Sequence, residues 1–276
     1  MSGAPTLRRL LVALVLLPGL KALAEDNVTL HASHDLLVGT AVTSSVGHIG
    51  LDKRGWSLHP VWAFQVGRFR LASGPAASLL SVGREPVEAG LSTVLTTAGD
   101  WRLSTALRIR EGRDADDGDP LLSGLPGTRA TLLGRLSASR AIAHRWTGSV
   151  SATQDLLGNG AGFSLGLGLG YRYPISQHTY WDASAALGWS NATARQTHFG
   201  ISPPAAAAAG RAPYAIGAGW DSATLAWNLT SALSEHWVVW GGLNVSQLQG
   251  AAARSPLVGQ RTVVSASIGL AYRDRH

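Results

Sequence analysis

The chain contains no cysteine, so neither a disulfide framework nor a cysteine zinc site holds it together. Beyond its first 24 residues it also lacks any unbroken run of about 18 apolar residues, the length a membrane-spanning helix needs. Charge is scarce: 14% of 276 residues are charged and the mean hydropathy is +0.10, which is apolar for a soluble protein. The basic excess is small as well. Setting aside residues 1–24 removes Arg8, Arg9 and Lys21 and no acid, so the formal charge falls from +6 to +3. Scattered arginines at that balance do not form the clustered basic face of a nucleic-acid binder. There is no Gly-Lys-Ser/Thr phosphate loop, and the one Gly-rich strand has no helix after it, which excludes a dinucleotide fingerprint.

What is present starts with a leader. Arg8 and Arg9 precede the apolar stretch Leu10 to Leu17, and Ala22-Leu23-Ala24 supplies small residues at the spacing a signal peptidase needs. The pattern predicts a secretory signal peptide over 1–24, leaving 25–276 as one domain.

The body alternates with a period of two. From Gly162 to Pro174, Phe163, Leu165, Leu167, Leu169, Tyr171 and Tyr173 take the odd positions, and Ser164, Gly166, Gly168, Gly170 and Arg172 the even ones. Successive side chains of a strand point to opposite faces, so one face is large and apolar and the other is small. The same pattern runs through Trp101 to Arg110, Thr224 to Leu233 and Val264 to Arg273, and more weakly through Arg129 to Arg140, Trp146 to Gln154 and Trp181 to Ser190. A soluble sandwich would carry Lys and Glu on its polar face. Here that face is Gly, Ala, Ser and Thr with an occasional Arg, which suits the confined interior of a closed barrel. Trp101, Trp146, Trp181, Trp189, Trp237 and Tyr272 fall toward strand ends, where amphipathic rings meet a membrane interface.

The expected fold is therefore all-β: a transmembrane antiparallel up-and-down β-barrel, closed because an open edge would strand backbone donors in hydrocarbon. Short connections at Ala141 to His144, Ile175 to His178 and Leu233 to His236 alternate with long ones at Arg113 to Gly127, Ala192 to Trp220 and Gln249 to Arg261. Counting back from Tyr272 gives eight clear strands after Gly127 or just before it. Leu36 to Ser44, Trp56 to Val66, Arg68 to Ser73 and Ala89 to Ala98 add four, for twelve strands, or ten if a short one fails.

Candidate chemistry is sparse. Arg102, Arg108, Arg110, Arg129, Arg135, Arg172 and Arg273 share the inward parity and would make an anion-favouring lumen, unless inward acids such as Asp155 or Asp182 pair with them. Asp114, Asp116, Asp117 and Asp119 crowd together but fail the EF-hand spacing, and a solvated loop touching ions held by lipopolysaccharide is the better reading. His198 and His236 with Asp182 or Asp221 come nearest to a hydrolase pattern, yet nothing in their spacing places them together. The sequence assigns no catalytic residue, cofactor or metal ligand.

Several longer motifs occur in a telling order: G-R-D-A-D-D-G-D-P from Gly112 to Pro120, Gln154-Asp155-Leu156 before the Gly-rich strand, and Q-T-H-F-G-I-S-P from Gln196 to Pro203. They are followed by Ala212-Pro213-Tyr214-Ala215, Ser255-Pro256-Leu257-Val258 and the closing Gly269-Leu270-Ala271-Tyr272-Arg273. From roughly Leu36 onward the chain resembles the MipA/OmpV family of outer-membrane proteins. The resemblance rests on Gly112, Arg113, Asp114, Gln196, Phe199, Gly200, Pro213, Tyr214, Ser255 and Pro256. It departs from the family at His198, where Tyr is usual, and at Asp274-Arg275-His276, where an aromatic usually closes the chain. What the resemblance implies is a non-enzymatic adaptor in the outer membrane, linking that membrane to a murein hydrolase and a murein synthase. Its surroundings would be outer-membrane lipid and lipopolysaccharide, with the barrel-assembly machinery reading the C-terminal strand during insertion. The alternative is a small anion or solute channel with an Arg-lined lumen.

Overall fold

The computed structural model describes residues 34–49, 55–74, 89–113 and 119–275. The leader expected over 1–24 lies outside the described residues. Twelve antiparallel strands form a closed barrel: β1 (His34–Ser45), β2 (Gly55–Val66), β3 (Phe69–Ala72), β4 (Gly90–Ala98), β5 (Trp101–Arg110) and β6 (Thr131–Ala143), then β7 (Trp146–Asp155), β8 (Phe163–Pro174), β9 (Thr179–Ser190), β10 (Gly219–Ala232), β11 (Trp237–Leu248) and β12 (Thr262–Arg275). Each strand pairs with its sequence neighbours, and β1 meets β12 along Asp35↔Arg275 to Ser44↔Ala266. That seam removes both sheet edges, the condition a bilayer imposes on β-structure.

The question of ten or twelve strands turns on β3, which has only four residues. It is retained because both of its edges are used, by Ala63↔Ala72 on one side and Phe69↔Thr93 on the other.

The two faces separate as the alternation predicts. Leu165, Leu167 and Leu169 are 40%, 47% and 41% exposed on the outside, and Val38, Leu225, Leu229, Ile268 and many others join them in a continuous apolar belt. A belt of that extent is far beyond the patches a water-soluble monomer leaves uncovered. Aromatic rings border it at both ends. Trp146, Tyr171, Tyr173 and Trp181 pack with tilted ring planes at one end, with Trp237 edge-on to Tyr272 beside them. Phe163 and Trp189 meet at the other end. Trp181 and Trp189 lie on the same face of β9 with about 26 Å of strand between them at about 3.3 Å per residue, which a tilt of about 40° turns into about 20 Å of height, close to the apolar band of an outer-membrane barrel.

The interior is not uniformly polar. Leu37, Ala41, Val61, Ala63, Ala72, Val238, Trp240 and Ala271 form a buried apolar cluster on the inner wall of β1 to β3, β11 and β12. Trp240 is 5% exposed and pairs with Gly269, where a Cβ would come 2.2 Å from the indole. Gly269 is therefore the seat of a ring. Across the barrel, β6 to β10 present Ser137, Ser139, Ser151 and Ser190 inward with Gly166, Gly168 and Gly188.

The connections differ sharply between the two ends. At one end Gly67-Arg68, Gly99-Asp100 and His144-Arg145 turn the chain tightly, with Gly67 and Gly99 at φ 57 and 55, where a side chain would be strained. At the other end the long connections carry helix α1 (Ala192–Phe199), helix α2 (Pro203–Ala208) and a 3-10 turn at Ala252–Arg254. Among the described residues no helix is long and apolar enough to cross a membrane.

Candidate functional site

The long-loop end is a folded cap. Asn191 starts α1 by accepting from the Ala194 N–H at 3.0 Å and from the Phe163 N–H at 3.2 Å, which ties the helix to β8. Gln196 clasps the returning chain. Its amide nitrogen donates to the Tyr214 carbonyl at 3.2 Å, and its amide oxygen accepts from the Ile216 N–H at 3.0 Å. Gly200 must lack a side chain, since a Cβ there would sit 2.1 Å from the Gln196 amide nitrogen. The Tyr214 hydroxyl donates to the Ala251 carbonyl at 2.7 Å, and the Ser255 hydroxyl to the Phe199 carbonyl at 2.6 Å. Arg211 reaches the carbonyls of Leu121 and Pro120, and Ile49 bridges to Val258.

Four connections thus interlock over a small core of their own: Leu122, Leu125, Ile201, Ala205, Ala206 and Leu257. Gln196, Gly200, Tyr214, Ser255 and the backbone of Phe199 meet in this one network. Gly112 and Arg113 stand beside it, Arg113 bridging to Thr128 and lining a cavity of about 250 Å³ with Gln196 and Gly200. Pro213 and Pro256 are exposed neighbours of Tyr214 and Ser255. Asp114 lies outside the described residues, as do Asp116 and Asp117. Asp119 shapes its own turn, accepting from the Leu121 N–H at 2.7 Å.

The cap is pinned to the barrel by a residue that the sequence does not single out. Arg195, 4% exposed, pairs with Asp221 at 2.7 Å and donates to the Gly217 carbonyl at 2.7 Å. Gly219 clears the space, because a Cβ there would lie 2.5 Å from the guanidinium. His198, on the same helix, has its pKa lowered to about 4, first by burial and then by the positive charges of Arg110 and Arg113.

The inward arginines separate into groups. Arg102, Arg108 and Arg110 pair across β5/β6 with Ser139, Leu133 and Thr131, all buried, and Arg135 pairs with buried Ala106. Arg172 and Arg273 share the inward register, and Arg172 binds Asp182 through two contacts of 2.6 and 3.1 Å with its guanidinium over Tyr180. Arg129 lies outside the strands. It continues the inward parity but precedes the first residue of β6, and it is exposed in the segment leading from the cap. Asp155 neutralises none of the arginines by direct contact among the described residues; it accepts from Thr131, Leu157, Gly158 and Ala161 and fixes its own loop. The hydrolase pairing is not assembled: His198 lies in the cap, His236 at the opposite end, and Asp182 and Asp221 each hold an arginine.

The short-turn end repeats one device. In Ile175-Ser176-Gln177-His178 the Ser176 hydroxyl accepts from the N–H groups of His178 and Thr179 at 3.2 and 3.1 Å. In Leu233-Ser234-Glu235-His236 the Ser234 hydroxyl accepts from His236 and Trp237 at 3.3 and 3.1 Å. Both turns close with the same backbone bonds, Ile175 N–H to Thr179 and Leu233 N–H to Trp237. A third turn presents Ile142 before His144, and the three aliphatic tips are 62%, 57% and 64% exposed at Ile142, Ile175 and Leu233.

The sequence signature described as MltA-interacting protein MipA matches residues 38–273. The chain belongs to the MipA family. It is an outer-membrane β-barrel, and four of the motif residues that suggested the family, Gln196, Gly200, Tyr214 and Ser255, help to build its cap. Among solved structures, the chain is similar to a porin refined at 1.8 Å resolution (TM-score 0.36, 11% identity, 87% of this chain and 100% of that one). It is also similar to Salmonella typhi OmpF in complex with daunomycin (0.42, 10%, 88% and 97%) and to an anion-selective porin from Comamonas acidovorans (0.38, 11%, 88% and 100%). Among curated proteins no match was found.

Two structural residues of this MipA-family barrel escaped sequence reasoning. Trp240 is not among the aromatics that the alternation marks, and Arg195 stands one position before the Gln196 motif with its partner Asp221 beyond the whole cap segment. The signal for Arg195 is a basic residue, one of two arginines, in an Ala- and Gly-rich connection.

Proposed function

We propose that this barrel is a non-enzymatic outer-membrane adaptor whose short-turn rim faces the periplasm and holds a murein-remodelling enzyme. The observation that carries the reading is the repeated turn. Ser176 and Ser234 lock two turns into one shape, so Ile175 and Leu233 stand as fixed aliphatic tips beside exposed histidines, with Ile142 as a third. Preorganised apolar anchors lose little entropy on association, which suits a docking rim. The family's printed name, MltA-interacting protein, agrees with a murein enzyme as the occupant. The interlocked cap at the other end favours a scaffold over an open pore. Export fits this reading, with residues 1–24 removed as a leader and Tyr272 offered to the assembly machinery from within β12.

The test is photo-cross-linking in intact envelopes from Gln177 and Glu235, with Ser123 in the cap as control. Murein enzymes should be captured from the two rim positions and not from Ser123. Correctly inserted protein that captures only lipid at the rim would refute the adaptor.

A second reading, anion passage, is favoured by Arg108 and Arg110 on the inner wall. Planar bilayers decide it: anion-selective steps that change in Arg108→Ala support it, and silence removes it.

A further inference from the structure

At the short-turn end three guanidiniums lie on the outer wall, each over the face of an aromatic ring. The Cζ of Arg68 is 5.3 Å from the Phe69 ring centroid, that of Arg140 5.5 Å from Trp101, and that of Arg145 4.6 Å from Tyr173. All three rings are exposed on the lipid-facing side. Arg140 shares that side, since it pairs directly with Trp101 and keeps the parity of exposed Leu136. The three form an arc from β3 to β8 at the level of the aromatic border.

The protein itself does not neutralise this arc. Among the described residues none of the three arginines pairs with a carboxylate. Asp100 stands in the β4–β5 turn within the arc, but the contact it makes there is through its backbone carbonyl, which accepts from the Ala141 N–H at 3.4 Å. Arg145 has the phenol of Tyr171 beside it, a neutral partner that leaves the charge in place. The rim acids Glu235 and Asp274 belong to the β10–β12 side. Arg172 shows the contrast: it is turned inward over Tyr180 and bound by Asp182. A guanidinium stacked on a ring uses its flat face and keeps its in-plane N–H donors for a ligand.

We propose that this arc binds an anionic phospholipid, its headgroup phosphate held by Arg140 and Arg145 at the β6–β7 hairpin, with Arg68 extending the site along the rim. A guanidinium takes a phosphate in a bidentate fork, and the ring beneath it meets the glycerol and first acyl carbons at the membrane border. Long basic side chains reach headgroup level while their stems stay on apolar surface. In a zwitterionic headgroup the phosphate carries its own cation, so the arc gains less from it. Inorganic phosphate would leave the apolar rings unused. The choice of phospholipid over lipopolysaccharide rests on the rim facing the periplasm, as in the adaptor reading; the contact between guanidinium and phosphate does not.

The experiment is native mass spectrometry on the full-length barrel released from detergent micelles, with heat-modifiable gel mobility as the check on folding. The probes are phosphatidylglycerol, phosphatidylcholine with the same acyl chains, lipid A and inorganic phosphate. A micelle has no sidedness, so the result does not depend on which way the rim faces. Phosphatidylglycerol should bind about fivefold or more tightly than phosphatidylcholine, the scale of one basic side chain at an anionic surface. Arg140→Gln with Arg145→Gln should bring the two lipids within about twofold of each other. The control Arg261→Gln at the cap end should change nothing, and an excess of inorganic phosphate should leave the lipid bound. Equal binding of the two phospholipids to folded wild-type protein, a preference that survives the paired variant, or an equal loss in Arg261→Gln would each overturn the proposal. Displacement of the lipid by inorganic phosphate, or tighter binding of lipid A at the same arginines, would overturn it as well.

Discussion

Replacing Arg195 with methionine should unlatch the cap. The guanidinium is 4% exposed and its partner Asp221 15%, with 2.7 Å between them, so the pair is largely desolvated. Removing one member leaves a buried carboxylate without its counter-charge and the Gly217 carbonyl without its donor. Loss of one partner from a buried pair costs about 3–5 kcal/mol. Replacing both, as Arg195→Met with Asp221→Leu, removes the stranded charge and should recover most of that loss, leaving a coupling of about 2–3 kcal/mol in a double-mutant cycle. The assay is urea unfolding in detergent micelles combined with limited proteolysis. Because the pair ties a loop to a strand, the single variant should be cut within 191–218 before the barrel melts. A loss below about 1 kcal/mol with a protease-resistant loop would refute the latch, since that is the range of a solvated pair.

Other perturbations follow from the same contacts. Gly269→Ala should displace the Trp240 indole, cost about 1–3 kcal/mol in urea unfolding and shift tryptophan emission; unchanged emission and stability would mean that the ring does not rest on Gly269. His198 titrates near 4 in the folded cap against about 6.5 unfolded, so the unfolded state binds more protons between those values. Cap stability should be full above about pH 6.5 and fall as the pH drops toward 4, by on the order of 3 kcal/mol, and His198→Phe should flatten the dependence measured by proteolysis rate. Gly200→Ala should break the Gln196 clasp and loosen the cap while the barrel keeps its heat-modifiable mobility. Ser176→Ala with Ser234→Ala should free the rim turns, seen as faster amide exchange at Thr179 and Trp237, and should reduce rim cross-linking without changing barrel stability by more than about 2 kcal/mol.

The barrel was legible because its two faces obey different physics. Lipid accepts any large apolar side chain, whereas a lumen is limited by its opposite wall, so Leu165, Leu167 and Leu169 alternate with glycine in a way no solvated sheet requires. Strand β3 was legible only through its neighbours, since four residues carry little pattern and its existence depends on pairing at both edges. β11 shows where alternation fails: Trp237, Val238, Val239 and Trp240 are all apolar, so parity alone cannot tell the interface ring from the buried one. Arg129 shows the converse, keeping the inward parity before the first residue of its strand. The motif residues Gln196, Tyr214 and Ser255 were visible one by one, but their meeting depends on two connections that barrel closure brings over one mouth.

The absence of native cysteine makes the arrangement in the membrane directly measurable. Single cysteines at Ser123 in the cap and Gln177 at the rim can be probed with a membrane-impermeant maleimide on intact cells and again after the outer membrane is permeabilised. The account predicts that S123C labels on intact cells and Q177C only after permeabilisation. Labelling of Q177C on intact cells, or protection of both positions alike, would contradict a barrel that turns its cap outward and its docking rim to the periplasm.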